Sequence, residues 1–434
     1  MSTHCDCRVA LAKLYEYLDG ELGATERQAI AAHLDACRPC LSHYEIEQLF
    51  HEYVVLNAPR PEARAAFKER LLLRIAQEAQ ATPSPTLGRD AVNDDFLLGR
   101  NQKAARRVFV TGATGFIGTH VVERLARAGH EMHCLVPATS SVSALKRHEV
   151  TLIEGDVTDR TSVLDGMRGC DWAFNLADLY SFWVPDKRLY HKVNVEGTRI
   201  VLESALEAGV AKVVHVSSAV GYGKPADCPF TEESTPGPVR FSKYAQTKYE
   251  GDLVAWELHE KKGLPLVVLY PGAVVGPADP KTNGGYVQDL MRQRLPARLF
   301  PDRVLTAVHV RDVAEAVYRA AEKQGNVGER YLVGKYRVSF RELSKMVSDI
   351  SGIPLPKRTI PGPVALLNAA LLTGIANVLK RPPLWGMSSD QIRTMKEGFQ
   401  FDGSKAEREL GITYTPIHVA VEEALASYRG ETSR

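Results

Sequence analysis

From residue 106 onward, short β-branched and aliphatic runs alternate with stretches of helical periodicity. RVFVT, EMHCLV, VTLIEGD, DWAFNLA, KVVHVSS and LPLVVLY read as strands. Helices fall between them, such as the one expected from Thr119 to Ala128 and closed by Gly129. This alternation predicts an α/β domain with a parallel sheet and crossover helices. After about Pro271 the alternation weakens and the loops lengthen, which predicts a smaller C-terminal substrate lobe built mainly from 271 onward. No internal repeat is visible.

The first hundred residues follow another rhythm. From about Leu11 to Asn57 the chain reads as helical, with Leu11, Leu14, Tyr15 and Leu18 on one face. Pro59 and Pro61 open a second amphipathic stretch in which Phe67, Leu71 and Ile75 share a side, with no partner evident in its own module. ATPSPTLGRDAVNDD then reads as a flexible linker. The expected division is a small all-α domain over 1–57, an amphipathic helix over 58–80, a linker over 81–105 and the α/β domain over 106–434. The longest apolar run, Val364 to Leu379, is broken by Asn368, Thr373, Gly374 and Asn377. It is shorter than the roughly 20 residues that a bilayer needs, so it is read as a packed or groove-lining helix, and no membrane partner is expected.

A chain of 434 residues fits two or three domains, and a composition 44% hydrophobic and 24% charged is that of a folded protein. The net charge of +2 gives no reason to expect nucleic acid as a direct partner. The N-terminus MSTHCDCRVALAKLYEYLDGEL lacks the basic start and unbroken apolar core of a secretory signal, so a cytoplasmic location is expected. Of seven cysteines, Cys5, Cys7, Cys37 and Cys40 fall in the first forty residues. In a reducing compartment that clustering points to metal before disulfide. His33-x-x-x-Cys37-x-x-Cys40 supplies three ligands, and Cys7 completes a closed tetrahedral zinc site that would support a domain too small to fold well unaided. Cys5 reads as a spare cysteine, an alternative ligand or a thiol for redox exchange.

Chemistry in the larger domain begins at RVFVTGATGFIG, which places Gly112, Gly115 and Gly118, with Phe116 and Ile117, between a strand and a helix. Gly112 permits the tight turn, Gly115 the approach of a pyrophosphate, and Gly118 close helix–strand packing. The helix N-terminus offers N–H groups and a positive dipole end to phosphates. Further on, Tyr244-x-x-x-Lys248 puts a phenol and an ammonium on one helix face. A free tyrosine titrates near pH 10, and Lys248 with the positive nicotinamide ring is expected to lower that value. Ser218, ending KVVHVSS, is expected to polarise a substrate oxygen, with its neighbour Ser217 turned to the other face. Tyr222, which lacks a lysine partner, is expected to be structural.

TGxxGxxG, the tyrosine–lysine pair and the upstream SSAVGYG resemble extended short-chain dehydrogenases from about Arg106 to Tyr428. Within them, Tyr180, Trp183, NVEGT, YPGAVVGP and HVRDVAEAV resemble hopanoid-associated sugar epimerases and dihydroflavonol-reductase-like enzymes. The resemblance implies a Rossmann doubly wound sheet binding NAD(P), with Asp156 and Val157 at the adenine and Asn175, Leu176 and Ala177 passing under the cofactor. It further implies that Asn194 ties the active-site strand in place, and that Tyr180, Trp183, Pro271 to Val275 and Met291 surround substrate and nicotinamide. Homodimerisation through a helix pair is a habit of that family. Where an NAD enzyme would carry an acid after the second strand, this chain has Pro137. Ser140, Ser141, Lys146 or Arg147 could meet a 2′-phosphate there, so the reading leans to NADP.

The N-terminal segment, over about Cys7 to Val55, is similar to zinc-binding anti-sigma factors of the redox-sensing kind. That likeness implies a sigma factor as partner, wrapped by the helix over Pro61 to Ala79, with the zinc redox-sensing. The alternative is a structural zinc that staples a small domain docked on the reductase. The expected activity is an NAD(P)-dependent oxidation, reduction or epimerisation at a hydroxyl or carbonyl carbon of a small substrate, either a sugar nucleotide or an aldehyde or ketone. The rival is a dinucleotide- or redox-responsive anti-sigma regulator without turnover. The complete Ser218, Tyr244 and Lys248 set speaks against that rival.

Overall fold

The computed structural model describes residues 23–36, 105–279, 282–295 and 297–431. The chain divides into two compact units, Met1–Gly99 and Arg100–Arg434. In the first, α1 (Ala24–Ala36) buries Ile30 and Leu34, one turn apart. The remaining expectations for the first hundred residues, among them Cys7, Cys37, Cys40 and the stretch 58–80, lie outside the described residues.

The second unit opens with β1 (Arg107–Thr111), α2 (Phe116–Arg127), β2 (Glu131–Val136), β3 (Val150–Glu154), α3 (Arg160–Met167) and β4 (Trp172–Asn175). It continues through α4 (Thr198–Ala208), β5 (Lys212–Val216), α5 (Lys243–Lys262), β6 (Leu266–Pro271), β7 (Ala273–Val275) and α6 (Thr282–Met291). Then follow β8 (Val304–His309), α7 (Val310–Glu322), β9 (Arg330–Val333), β10 (Tyr336–Ser339), α8 (Phe340–Ser351) and α9 (Gly362–Leu379). The unit ends with α10 (Ser389–Glu397), α11 (Ser404–Leu410) and α12 (Ile417–Glu431).

Seven strands form one parallel sheet in the order β3-β2-β1-β4-β5-β6-β9. Both faces are covered, so the strands read as apolar runs: β5 and β6 are buried at every position. Period-two alternation sends Val108 and Val110 toward the face of α2 and α7, and Phe109 toward α3, α4 and α5. Full burial of a side chain such as Phe109 stabilises the fold by roughly 1.5–3 kcal/mol. The strand order reverses between β1 and β4, and the crevice at the carboxyl ends of those two strands is where such sheets bind ligands.

A second sheet, β10-β8-β7, packs with α6, α8 and α12 as a separate lobe. The lobe does not take everything after 271. Strand β9 returns to the main sheet beside β6, and α7 and α11 pack on that sheet. Helix α9 packs on the protein through one face only. Its buried positions are Ala365, Ala369 and Ala376, while Val364, Leu367, Leu371, Ile375 and Val378 are exposed. It is held by its alanines and Leu366, with most of its other large side chains outward.

Candidate active site

The chain leaves β1 at Gly112 with a left-handed φ of 68°. A side chain there would be strained and would put a Cβ 2.6 Å from the Leu176 carbonyl carbon. Gly118 lies so close to Gly112 that a Cβ would stand 2.0 Å from the Gly112 carbonyl oxygen. Among the described residues no side chain caps α2, so its first N–H groups and positive dipole end remain available to an anion. Bare glycine backbone and an uncapped helix start fit the pyrophosphate of a dinucleotide.

A cavity of about 550 Å3 extends from this cradle along the carboxyl edge of the sheet into the lobe. Gly112, Gly115, Phe116, Ile117, Gly118, Asp156, Val157, Leu176, Ala177, Ser218, Tyr244 and Pro271 all line it. Pro137 and Ser140 line it too, whereas Ser141, Lys146 and Arg147 do not. Asn175 and Lys248 also stand behind the wall.

Asn175 belongs to a buried polar chain under the cavity floor. Thr111 Oγ1 donates to Asn175 Oδ1 at 2.9 Å and accepts from the backbone N–H groups of Leu176 and Ala177, both at 3.2 Å. Asn175 Nδ2 meets His215 Nδ1 at 3.1 Å. His215 Nε2 lies 3.6 Å from Asp252, which accepts from Ser217 Oγ at 2.8 Å. Burial holds His215 below its ordinary value. Its Nε2 and the facing Asp252 Oδ1 have no hydrogen-bond partner among the described residues, so two bonded segments, Thr111–Asn175–His215 and Ser217–Asp252, meet there without a bond. The Ser217 hydroxyl is thereby turned inward, away from that of Ser218.

Tyr244 sits in the first turn of α5, whose N-cap Ser242 accepts from the N–H of Ala245. Its ring is packed edge-on against Tyr180 at 5.0 Å and against Phe182 at 6.3 Å. Its hydroxyl donates to Asp178 Oδ2 at 2.9 Å. Lys248 Nζ donates to the Val216 carbonyl at 3.0 Å and stands 4.0 Å from Asp178. Burial pushes the phenol well above its ordinary value, and the Asp178 carboxylate adds to that by penalising a second negative charge. Asp178 was missed in the sequence; its only signal is its place just past β4, at the switch point.

Asn194 lies in a π-helical turn over Lys192–Gly197. Its Oδ1 accepts from the N–H of Leu179 at 2.7 Å, and its Nδ2 donates to Thr247 at 3.0 Å. It therefore joins the loop carrying Asp178 and Tyr180 to the helix carrying Tyr244. Three residues expected around the substrate are absent from the cavity wall, among them Val275, which is buried in the lobe core. Trp183 points its Nε1 to Asn377 of α9 at 3.0 Å, and Met291 packs in the lobe core. Tyr222 is buried, stacked on Phe230 at 5.0 Å. On α1, His33 Nε2 is buried and lacks a hydrogen-bond partner among the described residues, an orphaned nitrogen that fits a metal ligand.

Residues 108–334 match the family described as NAD dependent epimerase/dehydratase, and residues 7–41 match one described as "Putative zinc-finger". The chain is 31% identical over 325 residues to a "Putative dihydroflavonol 4-reductase" of Synechocystis, covering 73% of this chain and 93% of that protein. It is 32% identical over 328 residues to "Sterol demethylase protein B" of Methylococcus capsulatus, covering 74% and 97%. The crystal structure of gox2253 superposes with a TM-score of 0.65 at 32% identity, covering 75% of this chain and 98% of that one.

Proposed function

We propose that this chain, which belongs to the NAD-dependent epimerase/dehydratase family and is an NAD(P)-dependent enzyme of that type, reduces or oxidises an apolar ketone or secondary alcohol. The character of the cavity wall carries this reading. Among the described residues, its charged members are Asp156, Asp178 and Asp279, with no lysine or arginine. The lobe contributes Tyr286, Leu305, Phe340, Leu343, Met395 and Phe399. A sugar nucleotide brings a diphosphate that needs cations or helix N-termini, whereas an apolar carbonyl compound matches this lining. Two relatives named as a reductase and a sterol demethylase protein support the same direction.

The nicotinamide supplies or takes the hydride when bound. In reduction, Ser218 donates a hydrogen bond to the substrate oxygen and polarises its carbonyl. Tyr244, kept protonated by burial and Asp178, turns its O–H from Asp178 to that oxygen and releases the proton. The Lys248 ammonium, held by the Val216 carbonyl, offsets the phenolate left behind. Oxidation runs the same transfers backward. Pro137 leaves no acid to repel a 2′-phosphate, and Ser140 beside it offers a hydroxyl, which supports NADP over NAD. In the N-terminal unit, zinc held by Cys7, His33, Cys37 and Cys40 is the reading that the orphaned His33 nitrogen supports, with a sigma factor as its protein partner.

The test is a nicotinamide absorbance assay with ketosteroids, long-chain ketones and UDP-sugars, using wild type and Tyr244→Phe. Apolar ketones should be turned over with NADPH bound at least as tightly as NADH. The variant should lose roughly 10²–10⁴-fold in rate with its dinucleotide affinity kept. Turnover of UDP-sugars alone, or full activity of Tyr244→Phe, would sink the reading.

A further inference from the structure

We propose that the outer face of α9 docks the protein on the surface of an anionic lipid bilayer. This helix has the polarity of a core helix turned inside out. Alanines at 365, 369 and 376 face the protein, while Leu367 is 72% exposed, Leu371 63% and Val378 81%. Val364, Ile375 and Leu379 extend the stripe, and Leu384 and Trp385 continue it just past the helix end. Spacings of three and four residues keep these side chains on one face, over about 22 Å of the helix at 1.5 Å per residue. A contiguous exposed aliphatic surface of this length marks an interaction site rather than ordinary surface.

Charge identifies the occupant. From Ile350 to Ser389 the chain contains four basic residues and no acidic one. Lys357 and Arg358 precede the helix, Lys380 and Arg381 follow it, and all four are exposed. Lysine and arginine flanking an aliphatic stripe, with a tryptophan at one end, suit the boundary between negative headgroups and acyl chains. Two copies of this chain paired along α9 would instead set basic ends against basic ends. With the two residues before Val364 the helix reaches 18 residues, at the short end of the range that can cross a bilayer by length and composition, but its alanine face is packed against the protein. It therefore lies in the interface plane instead of spanning.

The placement ties this face to the cavity. Asn377 of α9 accepts from Trp183, in the loop whose Tyr180 and Phe182 line the cavity wall. Thr373 of α9 accepts from the N–H of Ser389 at 2.8 Å, at the start of α10, which contributes Gln391, Thr394 and Met395 to the same wall. The docked side and the lobe end of the cavity are thus built on shared elements.

Flotation of the full-length, zinc-loaded protein with vesicles tests the proposal. Wild type should float with phosphatidylcholine–phosphatidylglycerol vesicles and much less with phosphatidylcholine alone. A Leu367→Asp/Leu371→Asp variant should lose binding by about tenfold or more, and Lys380→Gln/Arg381→Gln should weaken it and flatten its salt dependence. Both positions of the first variant are exposed, so its circular dichroism and melting should match wild type. No flotation of the wild type, or undiminished flotation of the first variant, would overturn the proposal. So would a concentration-dependent dimer, broken by that variant, in protein that ignores vesicles; the face would then join two copies. Vesicle binding is measured without substrate, so its outcome is separate from that of the ketone assay.

Discussion

Burial pushes the Tyr244 phenol well above its ordinary value, and the Asp178 carboxylate beside it opposes a phenolate. Asp178→Asn removes that opposition while preserving shape, so the tyrosine should titrate at lower pH. For alcohol oxidation, which needs the phenolate, the acidic limb of the pH–rate profile should move down. For ketone reduction, which needs the phenol, the alkaline limb should also move down. Steady-state rates across pH in both directions check this, and unmoved limbs would mean that the carboxylate does not set the tyrosine. Tyr244 and Lys248 were legible because four-residue spacing fixes a shared helix face before anything is known of the fold. Asp178 was not, since an isolated acid after NLA has no spacing to distinguish it and its partner lies 66 residues away.

The glycine turn and α2 act as one element, and their fit is close enough to test with a methyl group. Gly118→Ala would force a Cβ to 2.0 Å from the Gly112 carbonyl oxygen, so helix and turn must separate. Overpacking of this kind costs about 1–3 kcal/mol. Calorimetric titration and melting should both show loss, with dinucleotide affinity down by about tenfold for each 1.4 kcal/mol that falls on the bound state. An unchanged affinity would mean that this contact does not shape the cradle. The strands were readable because sheets covered on both faces leave uninterrupted β-branched runs. The inward face of helix α9 was not readable, for the opposite reason. Both of its faces are apolar, so periodicity cannot say which is inside, and only the burial of Ala365, Ala369 and Ala376 decides it.

At the scale of the whole chain, the N-terminal unit should carry one zinc, and Cys37→Ser should release it while leaving dinucleotide affinity in place. Metal analysis of both proteins checks this, and zinc retained at full occupancy would remove Cys37 from the site. The substrate was not legible in the sequence, because the cavity wall gathers side chains from α6, β8, α8 and α10, far apart along the chain. The wiring of the main sheet has a consequence for how the chain is made. Strand β6 is complete at Pro271, but its neighbour β9 is not synthesised until Arg330–Val333, after β7, α6, β8 and α7. A nascent chain that has emerged to residue 271 thus presents a fully apolar strand, Leu266–Pro271, with an open edge. Until the ribosome has delivered some sixty further residues, that edge has no strand to pair with and is open to association with other chains or a chaperone.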